Sequence, residues 1–293
     1  MTQALAIVNL PLTVIPRQAD TDSQLLELWL HGRSAHTQRA YRADAERFLE
    51  FVSVPLHQVT LGLVQNFADT LKQAALSPAT VHRMLSGVKS LFAFGHRIGY
   101  LPFDVARPLR LSSIRDCLSE RILDEAEVQR MIALERNPRN TALLRLLYVC
   151  GLRVSEICSL KWSMLQPRTE GGQVTVMGKR GKTRVILIPP RTWSVLAALR
   201  EGATDEQPLF RSRRRGHLHP SQVLRIVQAA AKRAGITKAV SPHWFRHAHA
   251  SHSLDRNAPI SLVQATLGHS DISTTGRYLH ARPADSSSKY LPL

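Results

Sequence analysis

Apolar residues recur every three or four positions through the first third of the chain, which is the spacing of amphipathic helices. The first such run consists of Leu25, Leu26, Trp29 and Leu30. Further runs follow Ser34, Thr60 and Ser77, and a serine or threonine directly before an apolar run is typical of a helix start. The pattern predicts a helical domain over residues 21–105, preceded by a flexible arm at 1–20.

The remainder of the chain mixes helical spacing with one stretch of strict alternation. Val174 and Val176 alternate with polar residues, a Gly-Lys-Arg-Gly-Lys turn follows at 178–182, and a second apolar run ends at Ile188. This arrangement predicts a β-hairpin. Helical spacing predicts helices near Asp124 and at 190–200, 220–234, 242–255 and 260–267. We therefore expect a mainly α fold with a small β-sheet. In this fold a basic linker at 106–120 connects the helical domain to an α+β domain at 121–293.

The chain is strongly basic, and the excess charge lies almost entirely in its second part. The formal net charge is +17, and residues 1–105 carry 9 Lys and Arg against 8 Asp and Glu, whereas 106–293 carry 30 against 14. A basic protein of this kind favours a polyanionic partner, most commonly nucleic acid. No apolar run of membrane-spanning length and no secretory leader is present, so we expect no membrane and a cytoplasmic location.

Four short clusters contain residues that could carry chemistry. They are Gly151-Leu-Arg153-Val-Ser-Glu156, the turn with Lys179, His243-Trp-Phe-Arg246, and Leu267-Gly-His269 followed nine residues later by Tyr278. Each alone has an ordinary structural interpretation. Arg153 at a helix start could pair with Glu156 three residues on, and Tyr278 could be a half-buried aromatic residue.

The order of these four clusters resembles the signature of the tyrosine recombinases, the phage integrase family. The resemblance extends over nearly the whole chain and is greatest to the single-chain Xer-type members, which act at short inverted DNA sites. In the first domain, Thr37–Tyr41 and the stretch beginning Ser77-Pro-Ala-Thr resemble the family's core-binding, SAM-like helical domain. The second domain would then be the catalytic domain.

The resemblance implies a metal-free cleavage of DNA in which a side chain is the nucleophile. Tyr278 would attack the scissile phosphate and become joined to the 3′ phosphate. Arg153 and Arg246 would bind the non-bridging oxygens, since a guanidinium group fits phosphate through two parallel hydrogen bonds. Lys179 would protonate the leaving 5′ oxygen.

Two histidines and a glutamate complete the implied set. A phenol is a poor nucleophile at neutral pH, so a base is useful, and His243 is the family's candidate. His269 would donate to a phosphate oxygen. Glu156 would hold Arg153 or His243 in place. No cofactor and no metal are implied.

Alternatives exist for several of these assignments. Lys182 lies in the same turn as Lys179 but does not directly follow Gly178, and Tyr290 lacks the spacing from Leu-Gly-His. A close group of histidines suggests zinc, but no cysteine or carboxylate completes a site within the helix. That group is His247, His249 and His252. We expect Arg180 and Lys182 in the turn, and Arg213 and Arg214 in a basic run, to contact DNA phosphates, although a solvated loop would look the same.

The predicted function is site-specific recombination of double-stranded DNA at a short inverted-repeat site. It would involve a 3′-phosphotyrosyl intermediate and a Holliday junction, with four copies of the chain, or two recombinases together, forming a tetramer. The C-terminal tail would dock on a neighbouring subunit, and the protein would be associated with the nucleoid. One alternative is a catalytically silent DNA-binding accessory protein of the same fold. A metal-dependent nuclease needs clustered carboxylates, and residues 241–282 contain only Asp255 and Asp271.

Overall fold

The computed structural model describes residues 17–113, 118–178, 183–269 and 271–281, with side chains up to Tyr278. The chain divides into two compact units, Met1–Arg115 and Asp116–Leu293. Most of the predicted arm and the residues beyond 281 lie outside the described residues. No helix in the described ranges is both long and apolar enough to cross a membrane.

The first unit contains the helices that the apolar spacing predicts. They are α1 (Asp22–Leu30), α2 (Ala35–Val52), α3 (Leu61–Gln73) and α4 (Pro78–Arg97). A hydroxyl residue caps each helix by accepting a hydrogen bond from the backbone three residues further on, which satisfies one of the unpaired N–H groups of a helix start. These capping residues are Thr21, Ser34, Thr60 and Ser77.

The core of the first unit forms around an aromatic group. Phe48 contacts Phe67 and Phe92 edge to face, with ring centroids 5.1 and 5.8 Å apart. This geometry places the positive edge of one ring against the negative face of another. Ala106 and Leu109, which fall within the predicted linker, also pack in this core. The ordered packing of the first unit therefore continues past residue 105.

The second unit combines eight helices with one small sheet in its described part. The helices are α5 (Glu125–Ala133), α6 (Pro138–Val149), α7 (Val154–Ser159), α8 (Pro190–Ala198), α9 (Pro220–Arg233), α10 (Pro242–Asp255), α11 (Ile260–Leu267) and α12 (Ile272–Ala281). The strands are β1 (Leu165–Pro167), β2 (Gly172–Met177) and β3 (Thr183–Ile188). They form an antiparallel sheet in the order β1-β2-β3, with Val174 opposite Ile186. The predicted hairpin is confirmed.

Helix α6 lies at the centre of the second unit. Leu143, Leu144, Leu146 and Leu147 are all fully buried, so the helix is covered on more than one side. A helix buried in this way lacks the one-sided apolar stripe from which an amphipathic helix is predicted. Helix α10 packs against both α6 and α12, and α11 packs against β3 and α12. The mainly α fold with a small sheet and a helical first domain is as predicted.

Candidate active site

Arg153 stands at the start of α7, as the sequence predicts, and Glu156 holds it there. The Arg153 backbone N–H donates to Glu156 Oε2 at 2.8 Å, and Arg153 Nη1 donates to Glu156 Oε1 at 2.9 Å. Glu156 thus caps the helix and orients the guanidinium group with one carboxylate. Of the two partners considered for Glu156, the structure gives it Arg153 and not His243.

A second arginine, which the sequence analysis missed, binds the same carboxylate. Arg184 of β3 donates to both Glu156 oxygens at 3.0 and 2.9 Å, and its Nε donates to the carbonyl of Thr266 at 2.7 Å. The Glu156 side chain is only 6% exposed. Burial alone would raise the pKa of Glu156, but the hydrogen bonds from Arg184 and Arg153 lower it below its usual range. The carboxylate is therefore ionised and joins α7, β3 and the end of α11.

Arg246 projects from α10 into the interior and is 4% exposed. Its two terminal nitrogens donate to the carbonyls of Gly151 and Leu267, each at 2.6 Å. Arg153 Nη2 donates to the next carbonyl, that of Gly268, at 3.2 Å. Burial, followed by the charge of Arg153, lowers the pKa of Arg246 to about 10, so it stays protonated at neutral pH. Hydrogens on both guanidinium groups remain available for an anion.

Gly268 ends α11, in agreement with the helix predicted at 260–267, and the chain turns there. It adopts the left-handed conformation with φ of +64°, which glycine tolerates best. The following residue, His269, forms a hydrogen bond through Nδ1 with the hydroxyl of Thr275 at 2.8 Å. Burial, with the charges of Arg246 and Arg153, lowers the pKa of His269 to about 4. His269 is therefore neutral at pH 7, and one face of α12 fixes its orientation.

Tyr278 lies on α12 and is 6% exposed. Its hydroxyl is 2.8 Å from Nδ1 of His247, and the two rings are 5.8 Å apart between centroids. Burial raises the pKa of Tyr278, while the charges of Arg246 and Arg277 oppose that shift. No helix is predicted beyond residue 267, but the chain before Tyr278 is helical from Ile272 onward. Helix α12 thus presents the phenol to α10.

His243 lies one turn before His247 on α10, with ring centroids 6.4 Å apart. Burial, then Arg246 and Arg153, lower its pKa below the usual range. Between the described residues His243 and Tyr278 no hydrogen bond is present. The assignment of His243 as the base stays a prediction.

The histidines considered for zinc have separate partners instead. His249 Nδ1 is 2.8 Å from the carbonyl of Tyr148, and His252 Nδ1 is 2.9 Å from the hydroxyl of Tyr148. Among the residues that the structure describes, no three His, Cys, Asp or Glu side chains are grouped to hold a metal ion. Helix α10 therefore uses its histidines to join neighbouring helices and, at His247, to contact the phenol.

The remaining predicted residues lie away from this centre or outside the described ranges. Arg213 and Arg214 are exposed in a turn closed by the Ser212 N–H donating to the carbonyl of Gly216 at 2.8 Å. Their DNA contacts stay a prediction. Four predicted or considered residues fall outside the described part of the chain, namely Lys179, Arg180, Lys182 and Tyr290.

The geometry joins a buried tyrosine to a pocket of fixed positive charge. Arg153, Arg246 and Arg184 are anchored within one cluster, while the nearby histidines are neutral. Such a cluster binds and polarises a phosphate without a metal, and a phenol beside it can attack phosphorus. A helical domain together with this site defines the class of tyrosine recombinases.

Comparison with known proteins gives the family. The chain belongs to the phage integrase family, whose profile matches residues 121–285; that of the phage integrase N-terminal SAM-like domain matches residues 25–99. It is 31% identical to the tyrosine recombinase XerC of Thermodesulfovibrio yellowstonii, with 85% of this chain and 87% of the relative covered. The protein is accordingly a site-specific recombinase of Xer type.

Two solved structures share the fold at low sequence identity. One is the XerH site-specific recombinase bound to its difH substrate in a pre-cleavage complex, with a TM-score of 0.69, 19% identity, and 93% and 84% of the two chains covered. The other is a lambda integrase tetramer bound to a Holliday junction, with a TM-score of 0.72, 17% identity, and 90% and 78% covered.

Proposed function

We propose that this recombinase cuts and rejoins DNA through a covalent bond between Tyr278 and a 3′ phosphate. The observation that carries the proposal is the anchoring of Arg246 and Arg153 on the consecutive carbonyls of Leu267 and Gly268. Helix α12, which bears Tyr278, packs directly against α10, which bears Arg246. The nucleophile and both phosphate-binding groups are thus held by one set of packed helices.

The scissile phosphate would bind between the two guanidinium groups, which stabilise charge as the phosphorus becomes five-coordinate. His269 would donate a further hydrogen bond to a phosphate oxygen from its Nε2, because Thr275 occupies Nδ1. Tyr278 would attack, and Lys179 would protonate the leaving 5′ oxygen. His243, whose pKa is lowered by burial and by the charges of Arg246 and Arg153, would also act beside the phosphate. The new bond is again a phosphodiester, so a 5′ hydroxyl can reverse the step without ATP.

Strand exchange follows when that hydroxyl comes from a partner duplex. We propose a short inverted-repeat site, a Holliday junction intermediate, and a tetramer of this chain or of this chain with a second recombinase. The tetrameric lambda integrase complex supports such an assembly by its shared fold. The role would be dimer resolution, integration or excision on cytoplasmic, nucleoid-associated DNA. The C-terminal tail would dock on a neighbouring subunit.

Basic residues outside the cluster would position the duplex. Arg213 and Arg214 lie exposed on one turn, where both can reach phosphates. We propose the same role for Arg180 and Lys182. Each phosphate contact of this kind releases a counterion and makes binding weaker at higher salt.

The test is covalent capture on DNA. The chain is incubated with nicked duplexes whose inverted-repeat arms are randomised and whose nick position varies, so that the cut fragment diffuses away and the adduct accumulates. We expect a complex that resists SDS, is recovered on a defined sequence, and is lost in Tyr278→Phe. Tyr148→Phe, which removes a half-buried hydroxyl elsewhere in the same unit, should still form it. No adduct, or an adduct that survives Tyr278→Phe, would overturn the proposal.

A further inference from the structure

We propose that His247 takes the phenolic proton from Tyr278 as the phenol attacks phosphorus. The inference rests on the proposed function and adds a catalytic residue to it. In the structure, His247 Nδ1 lies 2.8 Å from the Tyr278 hydroxyl, which is within direct hydrogen-bonding distance. A proton can therefore pass between them without a bridging water or a rearrangement.

The direction of this hydrogen bond follows from the chemistry of the two groups. A phenol is the stronger hydrogen-bond donor, and an unprotonated imidazole nitrogen is the stronger acceptor, so the Tyr278 hydroxyl donates and His247 accepts. The acceptor nitrogen must be free of a proton for this purpose. Burial, aided by surrounding positive charge, lowers the pKa of His247 to about 4, so the ring is neutral at pH 7.

The groups around His247 also explain when it would become a stronger base. The charged or titratable groups that face it are His243 and Arg246 on α10, Arg121 on the 3₁₀ helix Ser119–Arg121, and Arg277 on α12. The positive charge of the three arginines disfavours an imidazolium ion in the DNA-free protein. A phosphodiester bound at Arg246 would introduce negative charge and offset that effect. The affinity of His247 for a proton would therefore rise when the target phosphate is in place.

Cleavage involves two proton transfers, one to His247 and one from Lys179. The electron pair of the Tyr278 O–H bond becomes the attacking lone pair, and the proton moves to His247 Nδ1. The phenolic oxygen bonds to phosphorus, the P–O5′ bond breaks, and the 5′ oxygen takes that electron pair together with a proton from Lys179. In rejoining, the 5′ hydroxyl attacks phosphorus and passes its proton to the neutral Lys179 amine. The bond between phosphorus and the Tyr278 oxygen breaks, and protonated His247 returns its proton to the departing phenolate.

Paired substitutions separate proton transfer from simple positioning. In His247→Asn the side-chain oxygen can occupy the place of Nδ1 and accept the phenol's hydrogen bond, but it cannot take the proton. His247→Ala removes both abilities. Single-turnover cleavage of the captured duplex should fall by about 100-fold at neutral pH in both variants, the lower range for loss of a general base.

The pH profile adds a readout that a positioning role would not change. Without a base the phenol must ionise first, so the rate in both variants should rise about tenfold per pH unit toward the raised pKa of Tyr278. The unaltered chain should be less dependent on pH. The inference would be overturned if His247→Asn cleaved at the normal rate, or if the pH–rate profiles of the variants ran parallel to that of the unaltered chain.

A bypass substrate completes the test. An oligonucleotide whose 3′ phosphate is esterified with p-nitrophenol has a leaving group that departs without a proton. Both His247 variants should join it to a 5′ hydroxyl at the unaltered rate, and a loss there would show general damage to the site. His249→Asn, two residues along α10 with its Nδ1 on the Tyr148 carbonyl, is the matched control and should keep the normal profile.

His243→Asn tests the competing assignment. If only His243→Asn shows the steep pH dependence and joins the p-nitrophenyl ester at the unaltered rate, His243 is the base and the inference is wrong. Adduct formation by the unaltered chain is scored separately, so a failure of the proposed function is distinguished from a failure of the role of His247.

Discussion

Arg246 and Arg153 are anchored to neighbouring peptide groups. Arg246 Nη2 donates to the carbonyl of Leu267 at 2.6 Å, and Arg153 Nη2 donates to that of Gly268 at 3.2 Å. Two guanidinium groups held so close repel each other, and the partial negative charge of the carbonyls offsets that repulsion. The two guanidinium groups are therefore fixed in place in the absence of an anion, which is the arrangement that favours electrostatic catalysis at the proposed phosphate site.

Replacement of Arg246 by lysine tests this double anchoring. An ammonium group on a flexible stem cannot span the Gly151 and Leu267 carbonyls as the planar guanidinium does. We expect Arg246→Lys to slow covalent adduct formation by at least about 100-fold, the effect of losing one such donor. Arg256→Lys is the control, since Arg256 is 65% exposed and pairs with Glu125 at the end of the same helix. Equal rates for the two variants would contradict the prediction.

Arg184 should support the site without touching the phosphate. Arg184→Met leaves the buried Glu156 carboxylate with only Arg153, and removal of one partner from a buried ion pair typically costs about 3 kcal/mol. We expect a lower free energy of unfolding in urea and slower cleavage, with a smaller change in DNA affinity measured by fluorescence anisotropy. Arg168→Met removes an exposed arginine bonded to Gln173 at 2.6 Å on the same sheet. That control should change neither quantity appreciably.

Glu156 should make stability depend on acidity in a defined direction. Its pKa in the folded chain lies below the usual 4.5, so the ionised form stabilises the fold. That contribution is complete above pH 4.5 and is lost as the pH falls through the lowered folded value. Glu156→Gln lacks it, so the difference in unfolding free energy between the two proteins should shrink as the pH falls below 4.5. A constant difference would mean that the pKa of Glu156 is the same in the folded and unfolded states.

Gly151 is required both for its backbone angle and for its lack of a side chain. Its φ is +55°, and an added Cβ would lie 2.6 Å from Leu267 Cδ2 and 2.9 Å from a His249 ring carbon. Gly202 has φ of +70° but open space around it, so Gly202→Ala should cost about 1 kcal/mol from backbone strain alone. Gly151→Ala should lose more stability and also slow cleavage, because its carbonyl anchors Arg246. Thermal unfolding of both variants and adduct assays would check this.

Most helices of the first unit follow from its sequence because each begins with a capping hydroxyl residue and has one apolar side. Helix α6 is apolar on several sides, so no stripe indicates which way it faces. No helix was predicted at the position of α12, where Ser273, Thr274, Thr275 and Gly276 are poor helix formers. Its packing against α10 and α11 outweighs that local preference.

The residues of the candidate site also divide into those that the sequence predicts and those that it does not. Arg153, Arg246 and His269 were predicted from their order along the chain. Arg153 and His269 lie beside helix ends that the sequence also indicates, and Arg246 lies within the helix predicted at 242–255. Arg184 occupies a position in β3 where alternation predicts only which side of the sheet it faces. His247 was grouped with His249 and His252 as a possible ligand set. Its spacing of four residues from His243, one helical turn, was the signal that it shares a face with the site residues.

Strand β3 connects the turn that is proposed to contact DNA with the cluster of arginines. Arg184, which orients Arg153 through Glu156, lies two positions beyond Lys182, for which a contact with DNA phosphates is proposed. On a duplex of the wrong sequence the hairpin would bind DNA in a different position. This would shift β3 and turn the Arg153 guanidinium group away from the proposed phosphate site. Such DNA would still be held by the other contacts but cut slowly. Discrimination between sites would then be expressed in the rate of cleavage more than in the strength of binding.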